Sequence, residues 1–264
     1  DKAFFMAMEG RKGPVVIDLP MNIQREEIEP ETLEGYIAPA QEDAVDYSQV
    51  ASEILERMSQ ANRPVFLLGN GIAKGSQLHS DVLEVARRLR IPIVTSLPAR
   101  HLLPYDDEFN FGHIGAAYGH RYANMIVDQK ADLIISIACS MCKRQTGTKC
   151  ENFAQSADII RIDIDESELG RKVHSNETSY NVNAEFVLAE LVNLVASNEN
   201  LSTWDEWFDD AKAIRSKLQN FDEGLAERLP NKIIESISDH ASADEIITAD
   251  VEITSLMLSV AVAF

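Results

Sequence analysis

Apolar positions along the chain change period repeatedly, and the changes mark out its elements. Tyr47–Gln60 carries Val50, Ile54, Leu55 and Met58 at helical spacing, and Leu78–Leu89 repeats the pattern with Leu78, Val82, Val85, Ala86 and Leu89. Among these stretches lie short apolar runs bounded by glycine, proline or acidic residues: Val65–Leu68, Ile91–Thr95, Leu133–Ala138 and Asp158–Asp163. Runs so short and so uniformly apolar read as strands buried on both faces. Further helices are expected over Tyr118–Asp128 and Glu185–Ala196. Strands separated by a helix are joined by right-handed crossovers, so these four are expected to run parallel in one doubly wound α/β domain over residues 47–196.

The flanks read differently. Lys2–Gly10 looks like the end of a helix running into Gly13-Pro14-Val15-Val16-Ile17-Asp18-Leu19-Pro20, a short buried strand that needs a neighbour to pair with. Met21–Asp46 is acidic and aperiodic, with Pro30, Gly35 and Pro39, as a linker would be. Trp204, Trp207, Phe208, Ala211, Ile214, Leu218 and Phe221 share one stripe of a helix, and the tryptophan pair is read as packing rather than as an aromatic binding box. Ile246–Asp250 reads as a strand, and Thr254–Phe264 is apolar without a cap. Both ends therefore read as cut: residues 1–28 and 230–264 are expected to be pieces of neighbouring domains, joined to the central one by linkers 29–46 and 197–229.

Composition narrows the class. With 45% apolar and 25% charged residues over 264 positions, the chain is an ordinary soluble one, and no run is long enough to span a membrane. A cytoplasmic protein is expected. The net charge of −19 argues against nucleic acid or an anionic membrane as partner. Fifteen of the 24 basic residues fall within 46–196, however, which leaves room there for a local anionic ligand. Cys139-x-x-Cys142 lacks the second ligand pair of a zinc site, and with Cys150 it reads as reduced thiols near a strand end.

An open parallel sheet binds ligands beyond the carboxyl ends of its strands. That rule selects Gly69, Asn70 and Gly71, then Ser96 and Leu97, then Cys139 to Gly147, then Asp163 to Asp165. The glycine-rich turn Gly112–Gly119 adds Gly115. Gly69-Asn70-Gly71-Ile72-Ala73-Lys74-Gly75 is one residue out from a dinucleotide fingerprint, and Ser96 stands where an acid would read a ribose. The glycines suit either close backbone approach to a ligand or a tight turn from strand to helix. Asp163 and Asp165 suit either ribose hydroxyls or the cap of a helix starting at Glu166. His113 and His120 lie by the glycine-rich turn and read as loop residues, not bases; no phosphate loop, nucleophile elbow or HExxH occurs.

Seven segments in series carry a resemblance: Gly13–Pro20, Ala61-Asn62-Arg63-Pro64-Val65 through Gly69-Asn70-Gly71-Ile72, Ile91–Ser96, Gly119–Asn124, Ala131-Asp132-Leu133, Arg144-Gln145-Thr146-Gly147 and Ile162-Asp163-Ile164-Asp165. Together they resemble the thiamine-diphosphate enzymes of the acetolactate synthase group. The resemblance implies a Rossmann-like central domain with partial flanking domains, from a homodimeric or homotetrameric enzyme acting on a 2-keto acid. It also implies thiamine diphosphate as electron sink and Mg²⁺. The family's activating glutamate would lie upstream of Asp1 and its Gly-Asp-Gly…Asn motif downstream of Phe264, so this chain alone is expected to be inert. The central domain of that group also binds FAD, and by resemblance Gly69, Asn70, Gly71, Ser96, Leu97, Gly115, Asp163 and Ile164 are the positions that would hold a nucleotide. The sequence departs from the pattern at Ala138-Cys139-Ser140 for Gly-Ala-Arg, Cys142 for Asp, Ala116-Ala117 for Met-His and Val182-Asn183-Ala184 for Gly-Asp-Ala. Loss of that arginine removes a planar cation suited to a pyrophosphate. FAD, ADP or CoA, or no ligand at all, remain the alternatives for the domain.

Overall fold

A computed structural model of the chain describes residues 1–39, 45–198, 201–226 and 229–242. It divides into two compact units, Asp1–Val45 and Asp46–Phe264. In the first, α1 (Lys2–Met8) is followed by extended chain and two short 3₁₀ turns, Ile23–Arg25 and Pro30–Thr32. The strand expected over Gly13–Pro20 does not form: among the described residues no ladder partners it, and Val16, Ile17 and Leu19 are exposed. A strand exists only with a neighbour to take its amides and carbonyls, so an apolar run alone leaves open backbone. The strand expected over Ile246–Asp250 lies outside the described residues.

The second unit contains the sheet. Six strands, β1 (Pro64–Leu68), β2 (Ile93–Ser96), β3 (Asn110–Ile114), β4 (Leu133–Ile137), β5 (Asp158–Asp163) and β6 (Glu177–Asn181), lie in the order β3-β2-β1-β4-β5-β6. Every pairing is parallel. The central strands β1 and β4 are buried at every position, as their unbroken apolar runs require. Two strands go beyond the four expected. β3 carries Gly112 at φ +72° beside a register shift, a bulge that disguises it as a turn. β6 is a polar edge strand, Glu-Thr-Ser-Tyr-Asn, and shows no apolar run because only one side of it is paired.

Helices cover the sheet: α7 (Ala184–Ser197) packs on both α2 (Tyr47–Gln60) and α3 (Gln77–Leu89). Asp46 caps α2 and Ser76 caps α3, each accepting an amide of the first turn. Between β3 and β4 the expected helix is shorter at its start: α4 (Arg121–Asn124) continues as a π-helical turn, Met125–Lys130. Short helices α5 (Lys143–Thr146) and α6 (Glu166–Leu169) follow β4 and β5. The Asp132 carboxylate accepts the Asn62 and Arg63 amides, which ties the start of β4 to the start of β1.

The amino edge of the sheet is closed by α8 (Asp205–Ala226), which α9 (Leu229–His240) follows. The indole N–H groups of Trp204 and Trp207 donate to the carbonyls of Ala61 and Pro64, each at 2.9 Å. Phe208 packs on Phe109 and Phe111, and the Arg90 guanidinium lies 4.1 Å from the Phe208 ring centre. The tryptophan pair therefore packs against the sheet, as the sequence suggested. A shallow cavity of about 410 Å³ at this edge is lined by Arg87, Arg90, Asp107, Glu108 and Phe109. Its charges pair with one another, Arg87 with Asp107 at 2.8 Å and Arg90 with Glu108 at 3.6 Å, so the cavity is the rim of a packing seam.

Candidate functional site at the carboxyl edge

The strand order reverses between β1 and β4. In open α/β sheets the crevice for a ligand opens at that point, beyond the carboxyl ends of the strands. All eight residues singled out in the sequence lie on this edge. Gly69 to Gly71 follow β1, Ser96 ends β2 and Leu97 follows it, Gly115 follows β3, and Asp163 ends β5 with Ile164 beyond it. Asp163 and Gly69 do not adjoin, because β4 lies between their strands.

Local contacts define what each can do. The Gly69 amide donates to the Ile137 carbonyl at 2.9 Å and the Gly71 amide to the Ala138 carbonyl at 3.2 Å. A Cβ on Gly69 would stand 1.8 Å from the Ala138 carbonyl oxygen, and one on Gly71 2.8 Å from the Ala138 Cβ. These two glycines are thus required by the main chain after β4. Gly115 is gripped on both sides by Asn124, whose side chain accepts its N–H at 3.1 Å and donates to its carbonyl at 3.0 Å. Ser96 is buried, Leu97 half-buried, and Asn70 and Ile164 are exposed. Asp163 Oδ1 accepts the Asp165 amide, and Asp165 accepts the Ser167 amide as the cap of α6. The capping reading of Asp165 is the one the geometry displays.

His113 is buried and His120 half-buried, and both are neutral. His113 Nε2 donates to the Tyr118 carbonyl at 3.0 Å, and His120 Nδ1 accepts the His113 amide at 3.2 Å. Desolvation lowers the His113 pKa from 6.5 to about 4 and, with the neighbouring His113, lowers that of His120 to about 3. Both bond to nearby backbone rather than acting as bases, but only His120 lies in a connection, just before α4; His113, read as a loop residue, is instead part of β3. Burial likewise pushes the Cys139 thiol up to about 11, which leaves it protonated and unreactive. All three cysteines are free thiols.

Sequence reasoning missed Arg161 and Arg171. Arg161, fully buried in β5, donates to the Glu177 carboxylate at 3.0 Å and to the carbonyls of Arg171 and Glu168. It thereby shapes the loop after β5. Arg171 in turn donates to the carbonyls of Ser140 and Met141, in the loop after β4, and pairs with Glu168 at 2.9 Å. A charge inside Asp-Ile-Ile-Arg-Ile-Asp was a visible signal for Arg161; nothing in the spacing distinguishes Arg171.

Mg²⁺ needs several oxygen ligands converging on one point. Among the described residues no group of three or more His, Cys, Asp or Glu side chains could hold a metal ion. The described residues therefore do not fit a Mg²⁺-clamped thiamine diphosphate, and no chemical step is assigned to them.

Comparison with known proteins identifies the scaffold. The profile of the family "Thiamine pyrophosphate enzyme, central domain" matches residues 51–191, the span from α2 through α7. The chain is 30% identical over 261 residues to the acetolactate synthase large subunit of Corynebacterium glutamicum, covering 95% of this chain and 40% of that protein. It is 34% identical over 175 residues to acetolactate synthase 1, chloroplastic, of Zea mays and 35% over 176 residues to its Oryza sativa subsp. japonica counterpart; each covers 64% of this chain and 26% of the relative. The chain thus spans two fifths of the bacterial relative's length and about a quarter of the plant ones. Strand order, switch-point geometry and a profile match across the whole sheet agree, and the chain belongs to the thiamine pyrophosphate enzyme family, with the sheet as its central domain.

Proposed function

We propose that the chain is the middle of a thiamine-diphosphate-dependent enzyme that decarboxylates a 2-keto acid and joins the product to a second carbonyl compound, as an acetolactate synthase does. The observation that carries this reading is the 30% identity to an acetolactate synthase large subunit along 95% of the chain. In this reading thiamine diphosphate and Mg²⁺ are bound by parts of the enzyme other than the described sheet, which offers no metal ligand set. Residues 1–28 and 230–264 would be portions of the neighbouring domains, and the working enzyme a cytoplasmic homodimer or homotetramer. The net charge of −19 supports a small-molecule substrate rather than a nucleic acid or an anionic membrane. Among the described residues no helix is long and apolar enough to cross a membrane.

Two measurements test the proposal. The complete enzyme containing this chain, supplied with thiamine diphosphate, Mg²⁺ and pyruvate or another short 2-keto acid, is expected to release CO₂ and form a carboligation product. No turnover of any 2-keto acid would overturn the activity. Residues 1–264 alone, titrated with thiamine diphosphate and Mg²⁺ in a calorimeter, are expected to show neither tight binding nor turnover; micromolar binding would overturn the assignment of the cofactor to other parts of the enzyme.

A further inference from the structure

The switch point between β1 and β4 is where this strand order would seat a dinucleotide. Its walls are bonded to each other by the chain itself. The Gly71 amide, which a pyrophosphate would need, donates to the Ala138 carbonyl, and that carbonyl occupies the space a Cβ on Gly69 would fill. Further along the same turn the amides of Ile72, Gly75 and Ser76 donate to Gly69 O, His79 Nδ1 and Ala73 O. At the end of β3 both backbone groups of Gly115 are taken by Asn124. The amides of Gly69, Gly71, Ile72, Gly75 and Ser76 are thus spent within the chain rather than offered to a phosphate at this turn.

The segment from Ala138 to Gly147 joins these walls. At one end it lies on Gly69 and Gly71; at the other its Arg144 carbonyl accepts the Ala116 amide beyond β3, at 2.9 Å. From the β5 side Arg171 donates to the Ser140 and Met141 carbonyls. Ala138 and Met141 hold left-handed backbone at φ 48° and 47°. Such a conformation costs a non-glycine residue about 1–2 kcal/mol and persists only where surrounding contacts fix it.

We propose that the Ala138–Gly147 segment, latched by Arg171, closes the crevice from within, so that this domain seats no FAD and no nucleoside diphosphate there. The glycines at 69, 71 and 115 then serve the approach of one stretch of main chain to another. The inference is separate from the 2-keto acid reading, since turnover and nucleotide content are measured independently and either can fail alone.

Purified enzyme, denatured to release bound small molecules, is expected to give no flavin absorbance, and calorimetric titration of the native protein with FAD and with ADP to give no saturable heat. Co-purified flavin or saturable binding of either nucleotide would overturn the closed crevice. The latch is read by trypsin, for which the exposed Lys143 and Arg144 are cleavage sites inside the segment. Arg171→Ala is expected to speed cleavage there several-fold while far-ultraviolet circular dichroism stays unchanged; Arg171→Lys, which keeps a cationic donor nitrogen but loses the planar fork, is expected to fall between. Equal cleavage rates in all three proteins would overturn the role of Arg171, and loss of the fold in Arg171→Ala would leave Arg171→Lys and the nucleotide titrations to decide.

Discussion

Ala138 and Gly69 lie in close contact at the sheet's carboxyl edge, and opposite substitutions there have opposite expected effects. Ala138→Gly relieves a left-handed alanine worth about 1–2 kcal/mol, while the freer unfolded chain offsets about 0.4–1 of it. A gain of roughly 0.5 kcal/mol is expected in urea unfolding. Gly69→Ala drives a Cβ into main chain that cannot yield, and a loss of about 3 kcal/mol or more is expected in the same measurement. His113 and His120 add a pH dependence. Both pKa values are lowered in the folded state, so the unfolded chain takes up protons first as the solution is acidified. Their contribution is fully present above pH 6.5 and is lost as the pH falls toward about 4 for His113 and about 3 for His120. Urea midpoints measured through that window are expected to fall with acidification, and His113→Gln/His120→Gln is expected to flatten the slope.

At the scale of elements, β5 and β6 depend on one buried ion pair. Glu177 accepts from Arg161, from Ser179 and from the Val173 amide, so removing Arg161 strands a buried carboxylate. Arg161→Met is expected to cost about 3–5 kcal/mol in urea unfolding, and the double variant Arg161→Met/Glu177→Leu to recover much of it. A double variant no more stable than the single one would refute that account. The same pair explains what could be read in advance. β1, β2, β4 and β5 are strands with apolar runs dense enough to announce burial on both faces, and they were legible. β6 was not, since its side chains answer to distant polar partners, Glu177 to Arg161, Thr178 to Arg57 and Tyr180 to Glu53, rather than forming an apolar run. β3 was hidden by its bulge at Gly112. The edge that carries the candidate site was legible from strand ends, whereas the consumption of its amides by Asn124 and Ala138 depends on contacts between segments far apart in sequence.

For the molecule as a whole, the two edges of the sheet are treated differently. At the carboxyl edge loops meet loops; at the amino edge a single long helix is stapled across the strand starts through Trp204 and Trp207. These are the only two tryptophans in the sequence. Every indole in the chain therefore reports from one seam, and intrinsic fluorescence becomes a local gauge rather than a global one. Emission should shift to the red when α8 lifts away, even while circular dichroism still registers an intact sheet. A denaturation followed by both signals is expected to separate into an early optical step and a later loss of secondary structure, and Arg90→Ala, which removes the guanidinium from the Phe208 ring, should widen the gap between them.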